Sequence, residues 1–130
     1  MKRRRAKEDD KQERAFSSLP LNEREGKPRH QGVTEIRGPY YTPMGRRYLA
    51  DVLETMGEYV DILKFAGGSF SLMPRRAVKE IVDVCHQHQV LVSTGGFIEH
   101  VLTVEKKAVE QYIEECRRLE SGERKTSGVE

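Results

Sequence analysis

Residues 59–69 read YVDILKFAGGS, and the fold turns on how this stretch is read. The run is short, apolar and β-branched, and it ends in Gly67-Gly68-Ser69, so it describes a strand running into a turn. Side chains alternate along an extended chain, which puts Val60, Ile62 and Lys64 on one face. Asp61 points the other way, where a helix-side or capping position is expected for it. Two similar stretches flank this one, GVTEIR (32–37) before it and QVLVSTGG (89–96) after it.

Each of the three precedes a helical pattern. The first helix is expected from Thr42, as N-cap with Pro43 at the first helical position, to a stop at Gly57. Its Leu49, Val52, Leu53 and Met56 recur at helical spacing. The second starts near Pro74 and ends about His88, with Val78, Ile81, Val82 and Cys85 in the same pattern. The third begins after Thr103 and carries Val109, Tyr112, Ile113 and Cys116. Three helices with one narrow apolar stripe each need a sheet to cover, and the order is therefore β-α-β-α-β-α with parallel strands and right-handed crossovers.

An open doubly wound sheet and a closed (β/α)8 barrel share this rhythm. A nucleotide-binding sheet carries a glycine-rich first turn, whereas the first turn here, GPYYTPMG (38–45), is not G-x-G-x-x-G. A barrel needs eight units and about 250 residues, and this chain of 130 holds three. The expected fold is α/β, the first three β/α units of a (β/α)8 TIM barrel.

Composition bounds the rest. Charged residues make up 34% of the chain and apolar ones 36%, and no apolar run approaches the roughly 20 residues of a membrane span. The start, MKRRRAKEDDKQER, has no apolar stretch after its basic residues, so it does not read as a secretory signal. Residues 1–30 hold ten Lys/Arg against six acids, the remainder 13 against 15. A basic arm on a slightly acidic body lacks the basic stripes and interleaved aromatics of a nucleic-acid domain. The expected organisation is a disordered basic arm over 1–26, a domain over 27–120 and a disordered tail over 121–130. Cys85 and Cys116 have no metal-ligand spacing and read as reduced, buried thiols of a cytoplasmic protein.

Binding groups collect at the carboxyl ends of strands in both architectures. Glu35 and Arg37 lie two apart on the first strand, on one side of it. Lys64 ends the second strand, and a lysine in an apolar strand is expensive unless its charge is used. It is the candidate to bind an anion or to stabilise a developing oxyanion. Gly67, Gly68 and Ser69, with Gly95 and Gly96, are candidates to present backbone N–H groups to a phosphate. Glu35 and Glu99 are candidates to hold a divalent cation, magnesium with retained waters, or to act as acid and base. A salt bridge to Arg37 or Lys64 is the alternative for both. Tyr40 and Tyr41 either wall this pocket or pack the first loop, and His86 and His88 flank the end of the second helix.

The stretches KPR (27–29), GVTEIRGPYY (32–41), LKFAGGSFSLMP (63–74) and VSTGGFIEH (92–100) resemble the phosphosulfolactate synthase family, and in particular its heat-stress-associated branch. The likeness runs from about Lys27 to Glu115. It implies a (β/α)8 barrel of which this chain supplies the first three units. It also implies magnesium-dependent addition of sulfite to phosphoenolpyruvate, giving (2R)-phospho-3-sulfolactate. Carried over by motif, Lys64 matches the family's strand-two lysine, Gly68-Ser69 its Gly-Thr, and Gly95, Gly96 and Glu99 its Gly-Gly…Glu segment. Strand-end reading and resemblance together leave Lys64 and Glu99 as the catalytic candidates and Arg37, Gly67, Gly68, Ser69, Gly95 and Gly96 as the substrate-binding ones, while Glu35, proposed as a metal carboxylate with Glu99, rests on its strand position alone. The synthases carry Asp-Lys-Gly in the first strand. Here Gly38 matches and Arg37 stands for the lysine, but the aspartate has no equivalent. The heat-stress branch shares that departure and is linked to thermotolerance, with a chaperone or other protein as partner. A homo-oligomer is expected of the full-length family barrel. An inactive fragment is the remaining expectation for a chain of this length.

Overall fold

The computed structural model describes residues 13–38 and 44–121. Strand β1 spans Glu35–Gly38, β2 Ile62–Phe65 and β3 Leu91–Ser93. Helix α1 spans Arg46–Met56, α2 Arg75–Gln87, α3 Phe97–Leu102 and α4 Lys106–Ser121. Single 3-10 turns occupy Gly57–Tyr59 and Ser69–Leu72. The sheet is parallel in the order β1-β2-β3, with Ile36 beside Leu63 and Leu63 beside Val92.

Local chemistry sets the element ends. Helix α1 starts at Arg46, with extended Gly45 as its N-cap and a first bond from Leu49 N–H to Gly45 O at 3.2 Å. The start expected at Thr42 and Pro43 lies outside the described residues, as do Tyr40 and Tyr41. Gly57 does stop the helix, its N–H donating to Leu53 O. Helix α2 follows Pro74 and ends in a left-handed turn at Gln89 (φ 57°). There Gln89 N–H donates to His86 O (3.1 Å) and Val90 N–H to Cys85 O (2.9 Å), the paired bonds of a Schellman stop.

Helices cover one face of the sheet. Leu63 and Phe65 of β2 pack with Leu49 and Leu53 of α1 and with Val78, Ile81, Val82 and Cys85 of α2. Burial pushes the Cys85 thiol up to about 12, and Cys116, half-buried, is pushed up for the same reason. Both cysteines are free. Val60, expected to share the face of Lys64, joins this core instead. Regular alternation starts only at Ile62, so Val60, two residues earlier and directly after the 3-10 turn, is not bound by the strand's pleat.

On the other face, Glu35 and Arg37 are exposed, Ile62, Lys64 and Ser93 are half-buried, and Leu91 is 62% exposed. No described helix packs over this side. Among the described residues no helix is long and apolar enough to cross a membrane.

The amino-terminal ends of the strands are tied by charge. Asp61, 7% exposed, accepts from Arg29 Nη1 (2.7 Å), Arg24 Nη2 (3.3 Å) and Thr34 N–H (2.8 Å). Asp61, expected as a helix-side or capping residue, thus pairs with two arginines and the Thr34 amide. Lys27 Nζ donates to Gly57 O (2.7 Å), His88 O (2.9 Å) and Gln89 O (3.3 Å). It thereby sets a cation at the carboxyl ends of α1 and α2, where the helix dipoles favour one. Burial lowers its pKa, partly offset by Asp61. Arg24, counted in the sequence with the basic arm, also donates to Gly32 O (2.6 Å) and Tyr59 O (3.2 Å), so its segment is fastened to the domain.

Candidate functional site

The register brings three side chains into one row. Arg37 sits beside Lys64, and Lys64 beside Ser93, on the face that no described helix covers. Neighbouring strands lie about 4.8 Å apart, so two cations occupy adjacent places. Neither Arg37 nor Lys64 forms an ion pair with a described residue, whereas Asp61, at the opposite ends of the strands, gathers two arginines. The salt bridges expected as the alternative for Glu35 and Glu99 are therefore absent among the described residues. Like charges placed side by side on a sheet repel.

The glycine turns close over the same end. Gly67, Gly68 and Gly95 all have left-handed φ, at 64°, 70° and 61°. A Cβ on Gly95 would lie 2.7 Å from Lys64 Cε, so the third turn rests directly on the lysine stem. A Cβ on Gly68 would lie 2.5 Å from the Phe97 ring, which joins the second turn to the start of α3. Helix α3 was not legible in the sequence, where the third helix starts after Thr103. A single turn of apolar residues behind Gly95-Gly96 gives no periodicity to detect.

The backbone donors divide into two sets. Ser69 N–H is spent on Ala66 O (3.3 Å) and Gly95 N–H on Ser93 Oγ (3.1 Å). The amides of Gly67, Gly68 and Gly96 make no hydrogen bond to a described residue and stay available to a ligand. Ser69 Oγ is buried without a partner among the described residues, which suits a hydroxyl waiting for one.

The two carboxylates stand apart. Glu35 opens β1 level with Ile62, one layer below Arg37, whereas Glu99 is exposed in the first turn of α3 beyond β3. Strands β1 and β3 are separated by β2, which sets their backbones roughly 10 Å apart at equal height. No group of three or more His, Cys, Asp or Glu forms a metal site among the described residues.

A separate groove of about 720 Å3 lies on the helix side, lined in part by Phe70, Val78, Phe97, Tyr112 and Cys116. It includes none of the residues singled out above. Burial raises the Tyr112 pKa there, with Thr94 and Cys116 beside the hydroxyl.

Gly95→Ala tests the contact between turn and lysine. The methyl group must push Lys64 Cε aside, and left-handed φ for alanine costs about 1–2 kcal/mol. Urea unfolding should show that modest loss, while anion affinity should fall further because the ammonium has moved.

Residues 22–122 match the family described as (2R)-phospho-3-sulfolactate synthase (ComA). The protein HEAT-STRESS-ASSOCIATED 32 of Arabidopsis thaliana is 45% identical over 105 residues, which are 80% of this chain and 37% of that protein. A phosphosulfolactate synthase of Methanothermobacter thermautotrophicus is 35% identical over 96 residues, 74% of this chain and 36% of that one. The chain therefore spans little more than a third of the length of these relatives.

Proposed function

The chain belongs to the (2R)-phospho-3-sulfolactate synthase family, and on that premise we propose that Arg37 and Lys64 hold the anionic groups of phosphoenolpyruvate in a (β/α)8 barrel begun by these three β/α units. The observation that carries this is the pair of cations in register, unpaired among the described residues, at the strand ends where two glycine turns meet. The exposed face of the sheet and the edges of β1 and β3, unpaired among the described residues, favour further strands that would complete a barrel.

The reaction is an addition without redox change. The sulfur lone pair of sulfite forms a bond to C3 of the enol phosphate, the C2–C3 π pair moves to C2 and its carboxylate, and a proton is added at C2. Lys64 stabilises the negative charge as it develops on the carboxylate. Arg37 presents a planar fork that suits phosphate. Free amides at Gly67, Gly68 and Gly96 and the hydroxyl of Ser69 complete the cradle.

Magnesium is held by one or two carboxylates together with substrate oxygens and waters. Glu99 fits that part at the mouth and Glu35, one layer below and two strands away, does not. When bound, the ion would neutralise charge on the phosphate. If Glu99 is not its ligand, Glu99 serves as the acid for C2.

The test is turnover of phosphoenolpyruvate and sulfite by the protein and by Lys64→Ala. Phosphosulfolactate formation should fall at least tenfold in the variant, the loss of about one charge-assisted contact or more. Equal turnover in both would remove Lys64 from the chemistry.

A second proposal rests on identity: the heat-stress-associated protein shares 45% with this chain, the synthase 35%. It is a barrel that serves thermotolerance as an interaction scaffold, with a chaperone as partner. Anion binding with no turnover, and loss of heat survival on deletion, would favour it.

A further inference from the structure

We propose that Ser93 is a third ligand of the anion, its hydroxyl donating to the same group that Arg37 and Lys64 hold. This rests on the anion site described above. Ser93 is in register with Lys64, as Lys64 is with Arg37, so the three form one lateral row on the open face. Its Oγ accepts the N–H of Gly95 at 3.1 Å, which fixes the oxygen in place. Gly95 in turn lies against Lys64 Cε, so hydroxyl, turn and ammonium stem are contiguous. A hydroxyl has one proton to give and two lone pairs. One lone pair is engaged by Gly95, and the proton meets no acceptor among the described residues. The neighbour across the row is a cation, which repels that proton toward the open side. There an anionic oxygen held by Lys64 is the acceptor best placed to take it.

The substrate consequence follows from geometry. Two cations alone recognise charge, whereas a hydroxyl fixed by its own backbone contact recognises an oxygen at one position. Ser93 therefore favours a tetrahedral phosphate, with oxygens directed along the row, over a planar carboxylate of equal charge.

Titration of inorganic phosphate and of malonate into the protein, Ser93→Ala, Ser93→Thr and Lys64→Ala tests this. Ser93→Ala should weaken phosphate about tenfold to a hundredfold, the worth of one hydrogen bond to a charged group. Malonate affinity should change less than twofold. Ser93→Thr keeps both the hydroxyl and the contact to Gly95, and should bind phosphate within about twofold of the parent. Unchanged phosphate affinity in Ser93→Ala, with a clear loss in Lys64→Ala, would overturn the role of Ser93 and leave the anion site standing. Equal losses for phosphate and malonate, or failure of threonine to rescue, would make Ser93 a shaper of the turn only and overturn it as well. If the parent binds neither anion, the site itself falls, and Ser93 with it.

Discussion

Asp61→Ala is expected to destabilise the protein by about 3 kcal/mol, the loss seen when one partner of a buried ion pair is removed. The Arg29 side chain is 4% exposed and its Nη1 lies 2.7 Å from Asp61 Oδ1. Its other nitrogens reach Glu58 O (2.7 Å) and Glu25 O (2.8 Å), which satisfy hydrogen bonds but supply no counter-charge. Without Asp61 the guanidinium is buried with its charge uncompensated, and Thr34 N–H loses its acceptor. Thermal unfolding should shift down by on the order of 10 °C. Acid titration gives the same group a second signature. Burial alone would raise the Asp61 pKa, but the Thr34 N–H, then Arg29 and Arg24, outweigh it and hold the pKa below its usual 3.8. A carboxyl that binds its proton less readily when folded contributes fully above its unfolded value. That contribution fades as pH falls below about 4 and through the folded value. Asp61→Asn should lack this acid-side slope.

Gly68→Ala is the second large effect, about 2–5 kcal/mol. Left-handed φ costs alanine about 1–2 kcal/mol, and overpacking a filled site adds about 1–3. Here the methyl group would meet two Phe97 ring atoms at 2.5 and 2.7 Å. The ring cannot retreat freely, because Phe70 lies 5.0 Å, His100 5.5 Å and Tyr112 5.9 Å away between centroids. Adding Phe97→Ala should relieve the overpacking but not the backbone strain. Gly96→Ala is the control, since φ is −83° and a Cβ there meets nothing within 4 Å. Its denaturation midpoint should stay near that of the parent.

What the sequence made legible was what period and punctuation encode. Alternation in 62–65 and the stripe Val78, Ile81, Val82 and Cys85 specify a strand and a helix whatever lies around them, and Gly57 and Pro74 mark real boundaries. The convergence of Arg37, Lys64 and the glycine turns followed from placing strand ends together, because a parallel order puts every carboxyl end on one side. What stayed hidden was contact between distant polar residues. Lys27 and Arg29 were visible as KPR, yet only the fold shows that one joins two helix ends and the other neutralises Asp61. A lone acid facing away from Lys64 was the one available hint. Ser93 went unremarked because a serine near glycines reads as turn chemistry until its register with Lys64 is known. Sequence order also gave Glu35 and Glu99 their elements but not their layers, one level with Ile62 and the other beyond β3.

The anion row is tested most directly by isothermal titration of phosphoenolpyruvate into the protein and into Lys64→Met, which keeps the length of the side chain and removes its charge. Saturable binding by the parent, weakened at least tenfold in the variant and reduced by salt, is the expected result. No binding by the parent, or equal affinity in both proteins, would contradict the assignment of Arg37 and Lys64 to an anion.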